Sequence, residues 1–179
     1  MKLNLGCGAY ELAGWENWDE DTRLPNVGHV RVPPIPLDDE TVEEVYLGHL
    51  LEHFEPVEAA ELLHECKRVL VPGGRLGVVV PDTKRVLEHY LRQNGAMVEV
   101  PQGRHWRLND LDAVNAVFLY STIQGSRHRW SYDRETLCRT LERAGFRLGA
   151  CIDPYTDPRL STPQWYNLGV DGFKPGGPA

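Results

Sequence analysis

The sequence predicts an α/β fold: a three-layer sandwich on a doubly wound, mostly parallel sheet, Rossmann-like in plan, with a helical insert after the fifth strand. Three observations carry this. The chain opens on an apolar run that ends in glycines, Leu3-Asn4-Leu5-Gly6-Cys7-Gly8. Short apolar strands then alternate with helical patterns as far as Val80. Arg75-Leu-Gly-Val-Val-Val80 is continuously apolar after its first residue, as expected of a strand covered on both faces.

Taken in order, residues 2–6 read as strand one and Glu16–Asp19 as strand two. The connection at Tyr10–Gly14 is short. Parallel neighbours need a crossover of roughly a dozen residues, so a first helix here amounts to little more than one turn. His29–Val32 reads as a short third strand, ended by Pro33-Pro34 and Pro36. Asp38-Asp39 make a turn, and Val42–Gly48 is strand four. Pro56–Leu70 is the clearest helix. Val57, Ala60, Leu63, Val69 and Leu70 fall near a 3.6-residue period, Pro56 suits the first turn, and Pro72-Gly73-Gly74 ends the segment. Thr83–Asn94 reads as a helix stopped by Gly95, and Asn109–Gln124 as another with Asn109 as N-cap. Asp133–Ala144 is a third, capped by Asp133 and stopped by Gly145. Phe146–Ile152 and Trp165–Phe173 are the last strands. Residues 1–174 are expected to form one domain, with 83–130 a mostly helical insert and 175–179 a disordered tail.

Charge is spread unevenly over the 179 residues, whose formal net charge is −7. Residues 1–65 carry three Lys/Arg against fifteen Asp/Glu, whereas residues 84–130 carry seven basic against four acidic side chains. An acidic chain without a basic stripe makes a poor nucleic-acid binder, because that affinity comes largely from neutralised phosphates. No nucleic-acid partner is expected. The four cysteines, Cys7, Cys66, Cys138 and Cys151, show no C-x-x-C and no metal-ligand spacing, so they read as reduced thiols and no metal site is expected. No apolar run approaches a membrane span and no signal-peptide pattern opens the chain. A cytoplasmic protein without membrane partners is the expectation; the sequence leaves its oligomeric state unknown.

The glycine loop carries chemistry. Gly6 and Gly8 let backbone approach a ligand, and Asp19, a short crossover later, is placed to accept from ribose hydroxyls. A dinucleotide site wants G-x-G-x-x-G, with a helix N-terminus holding the pyrophosphate. Here the third glycine position is Glu11, which repels phosphate. The loop therefore suits a cofactor with no phosphate and tolerates one bearing positive charge, conditions that S-adenosylmethionine meets. A glycine turn after any buried strand remains the plainer alternative.

The order of motifs resembles the class I S-adenosylmethionine-dependent methyltransferases, in the broad group of small, type 11-like members. The residues that carry the resemblance are Asn4-Leu-Gly-Cys-Gly8, Gly14-Trp-Glu-Asn-Trp-Asp19, Gly48-His-Leu-Leu-Glu-His53, Arg68-Val-Leu-Val-Pro-Gly-Gly-Arg75 running on to Val80-Pro-Asp82, and Trp130-Ser-Tyr-Asp133 with Ala144-Gly-Phe146. The resemblance implies S-adenosylmethionine held by Leu5, Gly6, Cys7, Gly8 and Asp19, with Val32 to Ile35 beside adenine and Gly48 and His49 beside the methyl donor. Two features depart from the family. No acid stands among Arg31–Pro34, where many relatives place one near adenine, and the first helix is truncated. The 83–130 insert is then the expected cover of the acceptor.

After strand four the chain reads Leu47-Gly-His-Leu-Leu-Glu-His53 and lacks the Asn/Asp-Pro-Pro-aromatic segment that cradles an amino group. That favours methyl transfer to a small-molecule or glycan-type acceptor, at oxygen. His49, at the carboxyl end of a central strand, is the candidate catalytic base; a strand-capping role is its structural alternative. Arg127, His128, Trp130 and Tyr132 are candidates for the acceptor pocket, suiting a carboxylated or phosphorylated molecule. Two other functions stay open. One is a non-catalytic cofactor-binding or partner module on the same fold. The other is a zinc hydrolase using His49-x-x-Glu52-His53, which requires all five residues on one helix.

Overall fold

A buried pair of amides shapes the start of the chain. In the computed structural model, which describes residues 1–92, 97–100, 104–107, 114, 127–152, 157–158 and 165–176, β1 (Lys2–Leu5) runs parallel to β2 (Glu16–Asp19) with Asn4 opposite Asn17. Asn4 is fully buried. Its Nδ2 donates to Asn17 Oδ1 (2.8 Å) and to the Tyr10 carbonyl (3.2 Å). Asn17 in turn accepts from Leu12 N (2.8 Å) and donates to the carbonyls of Leu12 (3.1 Å) and Trp15 (3.0 Å). Residues 6–15 contain no helix, only turns. The one-turn helix expected there is replaced by side-chain bonds to the loop backbone, which satisfy groups a helix would have paired internally.

The sheet has seven strands in the order β3-β2-β1-β4-β5-β9-β8. β3 (Gly28–His29), β4 (Val42–Gly48) and β5 (Leu70–Pro81) complete the parallel part, and β8 (Arg147–Ile152) and β9 (Asn167–Phe173) add antiparallel strands at one edge. The strand order reverses beside β1, so a crevice opens at the carboxyl ends of β1 and β4. Strand three is shorter than the expected His29–Val32. Strand five is longer, starting directly after the helix α1 (Pro56–Val69). The Pro72-Gly73-Gly74 triplet sits inside β5, where Gly73 takes φ +80° and the pairing with β4 shifts register. A triplet that punctuates a sequence here makes an irregularity within a strand.

α1 begins with Pro56, and Glu58 reaches back to Glu55 N (3.1 Å). It buries Ala59, Leu62, Leu63, Cys66 and Val69 against the core of β1, β4 and β5. Burial pushes the Cys66 thiol up, so it stays protonated. Arg68 on the last turn clasps the chain before β4. It donates to the carbonyls of Ile35 and Leu37 (both 2.8 Å) and to Asp39 (2.7 Å), while Glu65 accepts from Ile35 N (2.9 Å). α2 (Thr83–Leu91) is capped by Asp82, and α3 (Arg134–Arg143) by Asp133, whose carboxylate accepts from Thr136 N (2.8 Å). Within the insert, expected to be mostly helical, the described residues add an antiparallel pair, β6 (Met97–Val100) and β7 (Arg104–Arg107), between the two expected helices. Most of the Asn109–Gln124 helix and of the 175–179 tail lie outside the described residues. Among the described residues no helix is long and apolar enough to cross a membrane.

The amide clamp yields a direct test. Asn17→Ala removes the partner of three backbone groups in one loop, so it is expected to lower unfolding stability by about 2–3 kcal/mol in denaturant titration. A loss under about 0.5 kcal/mol, the range of an ordinary surface substitution, would show that water serves the loop as well as the amide does.

Candidate functional site

Gly6 and Gly8 follow β1, both in the left-handed region at φ +61° and +54°. A Cβ on Gly6 would meet Leu50 Cδ1 at 2.5 Å, so the loop after β1 packs directly on the loop after β4. Gly8 N donates to Asp19 Oδ2 (2.8 Å), and Asp19 Oδ1 accepts from Asp21 N (2.9 Å). Asp19 thus ties the glycine loop to the end of β2. Each of its oxygens keeps a second lone pair for a ribose hydroxyl. Leu5 and Cys7 are both fully buried, and Cys7 N and O are spent on Trp18 O (3.1 Å) and Tyr10 N (2.9 Å). These two residues, expected at the cofactor, are packed into the base of the glycine loop. With no helix after Gly8 there is no helix N-terminus to hold phosphate, and Glu11 is exposed. The loop fits a cofactor without phosphates. Val32 is half-buried against the core, next to the segment that Arg68 and Glu65 fix.

On the other side of the crevice β4 ends at Gly48, which is buried, and His49 turns the chain with φ +54°. A non-glycine residue in this region is uncommon and costs of the order of 1 kcal/mol, and such residues gather at functional sites. His49 N still donates to Val79 O (2.8 Å), so the turn is anchored to β5. A 3-10 turn, Leu51–His53, follows and swings Glu52 back beneath His49. Glu52 is 1% exposed, and its Oε1 lies 3.2 Å from His49 Nδ1. A carboxylate only accepts, so Nδ1 carries the proton and the lone pair of the ring sits on Nε2. The His49 side chain is 27% exposed, within reach of an acceptor. Burial pushes the Glu52 carboxyl up, but the bond from His49 and the charges of His49, His53 and His128 outweigh it and hold it down at about 2.

The chain returns to this edge at 127–132. Arg129 N and Trp130 N donate to the Glu52 carbonyl (2.8 and 3.1 Å), His53 Nδ1 donates to the Arg127 carbonyl (3.2 Å), and Arg129 pairs with Glu58 (3.2 Å). Arg127 is exposed, His128 is half-buried, and Trp130 is 47% exposed. Tyr132 differs from expectation: at 2% exposure it belongs to the core, and burial together with the Glu52 charge raises its phenol. It lines no accessible surface. The zinc-hydrolase geometry is not met, because His49 follows a strand and Glu52 and His53 lie in a 3-10 turn rather than on a helix. Sequence reasoning missed Glu52 as the partner of His49. The three-residue spacing was there to be read, but it points to contact only once a turn of helix follows the strand. Asn4 was missed too, although a lone amide between Leu3 and Leu5 signals a buried polar contact.

Residues 9–78 match the family of the methyltransferase domain, a span that begins just after Gly8 and includes Asp19, His49 and Glu52. No curated protein matches the chain. Among solved structures, an S-adenosylmethionine-dependent methyltransferase from Methanosarcina mazei is 14% identical with a TM-score of 0.63, covering 98% of this chain and 92% of its own. A Thermotoga maritima S-adenosylmethionine-dependent methyltransferase, described as a possible histamine N-methyltransferase, is 16% identical with a TM-score of 0.62, over 97% of this chain and 81% of its own. A Haloferax volcanii putative methyltransferase, solved in complex with the Trm112 methyltransferase activator, is 14% identical with a TM-score of 0.55, over 97% and 82%.

The packing of the two loops predicts coupling. Gly6→Ala is expected to cost about 1–3 kcal/mol of stability, from backbone strain at positive φ plus the contact with Leu50. In a Leu50→Ala background the contact vanishes and the strain remains, so a double-mutant cycle should show coupling of about 1 kcal/mol. Additive effects would mean that the two loops do not depend on one another.

Proposed function

We propose that the chain is a class I S-adenosylmethionine-dependent methyltransferase, a reading supported by the methyltransferase-domain match over residues 9–78 and the shared fold, and that it methylates a hydroxyl of a small-molecule or glycan-type acceptor with His49 as general base. The observation that carries this reading is the His49–Glu52 pair at the carboxyl end of β4. A base is needed only where the acceptor holds a proton at working pH, as a hydroxyl does. When bound, the cofactor would supply an electrophilic methyl on its sulfonium, with the neutral thioether as leaving group.

Each residue then has a part. Asp19 accepts from the ribose hydroxyls, while Gly6 and Gly8, both at positive φ, shape the loop that holds the cofactor. His49 Nε2 takes the acceptor's proton as its oxygen attacks. Glu52, held ionised, fixes the tautomer through Nδ1–H and stabilises the imidazolium that forms, as the carboxylate of a hydrolytic triad does. Gly48 sets the end of the strand from which His49 projects. Arg127 and Trp130, both exposed on the returning segment, offer a guanidinium and an indole, side chains suited to an acidic or phosphorylated sugar.

Two variants test the two halves of the site. Asp19→Ala should weaken S-adenosylmethionine binding by about 1–3 kcal/mol in calorimetric titration; undiminished affinity in the folded variant would remove the ribose role. His49→Ala should keep cofactor affinity and lose about 10²–10⁴-fold in turnover with hydroxyl acceptors. Full turnover in that variant, or selective methylation of amines over hydroxyls by the parent, would overturn the base assignment.

A further inference from the structure

Glu52 has two oxygens, and the His49 pair uses one of them. Oε2 is buried and makes no hydrogen bond. A lone buried carboxylate oxygen is costly unless something positive meets it. Two imidazoles lie nearby. One donor atom from each of Glu52, His53 and His128 can be chosen so that all three lie within 4.8 Å of one another. The His53 and His128 rings stand edge to face, centroids 4.8 Å apart at 75°. The second partner of His53 is informative. Its Nδ1 faces the Arg127 carbonyl at 3.2 Å, and a carbonyl only accepts, so Nδ1 bears the proton and the lone pair is on Nε2. A backbone carbonyl on the remote ring nitrogen is the usual way a metal-binding histidine is oriented.

We propose that Glu52, His53 and His128 form a site for a divalent transition metal of the zinc class. Two imidazole nitrogens and one carboxylate oxygen suit zinc and its borderline neighbours, and three protein ligands leave a coordination position open. The site is held together from outside. Arg129 N and Trp130 N bind the Glu52 carbonyl and Arg129 pairs with Glu58, so His128 is delivered to the turn by its neighbours in sequence. Tetrahedral binding needs donors about 3.3 Å apart, so the metal draws the half-exposed His128 inward by about an ångström. It thereby clips the 127–130 segment to the loop after β4. This trio differs from the His49-x-x-Glu52-His53 motif. His49 stays outside the coordination, bonded to the opposite carboxylate oxygen, and the third ligand comes from 75 residues beyond His53 in the sequence.

The site shares Glu52 with the His49 pair, and it is tested without methyl transfer. The chelator-stripped full chain would be titrated with zinc against a chromophoric competitor, and separately with cobalt(II), whose visible absorption reports a low-coordinate nitrogen and oxygen set. One equivalent should bind with micromolar affinity or better. His53→Ala and His128→Ala should each weaken it at least about 100-fold, whereas His64→Ala, on the exposed face of α1, should not change it. Thermal melts of each variant establish folding, and His128→Gln serves if His128→Ala does not fold. A folded parent that binds no stoichiometric zinc, or a His53→Ala/His128→Ala double variant that binds as the parent does, would overturn the site. S-adenosylmethionine titration of the same sample separates that failure from a failure of the methyltransferase reading.

Discussion

The connection between β1 and β2 is too short for the helix that a doubly wound fold normally places there, and the rest of the site follows from how that shortage is met. Ten residues, 6–15, separate the strands. Asn4 and Asn17, opposite one another in the register, bind the loop backbone in place of helical bonds. The face of the sheet left uncovered is filled by Leu12 and Trp15, which pack on Tyr46 and Val79, with the Trp15 and Tyr46 rings meeting edge to face at 6.4 Å. A loop fixed this tightly delivers Gly8 N to Asp19. The cradle is therefore set by side-chain amides, and phosphate has no helix dipole to bind.

The opposite wall depends on a second local constraint. Glu52 is a charge in a dry place, and such a charge persists only with partners. His49 can serve as one because its backbone is left-handed, which turns the chain after β4 sharply enough for the 3-10 turn to return Glu52 beneath the ring. The strain at His49 and the burial of Glu52 are two halves of one arrangement. Either alone would be unfavourable, and together they produce an imidazole of fixed tautomer at an open sheet edge.

The sequence made much of the frame legible. Glu16–Asp19 and Val42–Gly48 appear with the expected boundaries and α1 ends within a residue of expectation, but α1 buries Ala59, Leu62, Leu63, Cys66 and Val69, while Val57 and Ala60 of the expected stripe are exposed. The exceptions have physical reasons. Pro72-Gly73-Gly74 was read as a stop, yet Gly73 at positive φ lets β5 bend and continue. Tyr132 looked like a pocket residue beside Trp130, but it lies in the core, a matter of tertiary packing that local composition does not carry. Gly6, Gly8, Asp19 and His49 were legible as strand-end residues, and they do lie at the carboxyl ends of β1, β2 and β4. The approach of His128 to His53 was not, since nothing local links residues so far apart in the chain.

Charge gives the same division of labour in a different form. The acidic excess of residues 1–65 includes Asp19, Glu20 and Asp21 at the end of β2, on the side where the glycine loop forms the cradle. The segment that returns to the turn after β4 carries Arg127 and Arg129. The acidic end of β2 favours a cation and disfavours a phosphate-bearing cofactor, whereas the basic 127–130 segment favours an anion. A sulfonium cofactor beside an acidic acceptor would satisfy both. Under the proposed function, Arg127, exposed while Arg129 pairs with Glu58, is the cation that meets the acceptor.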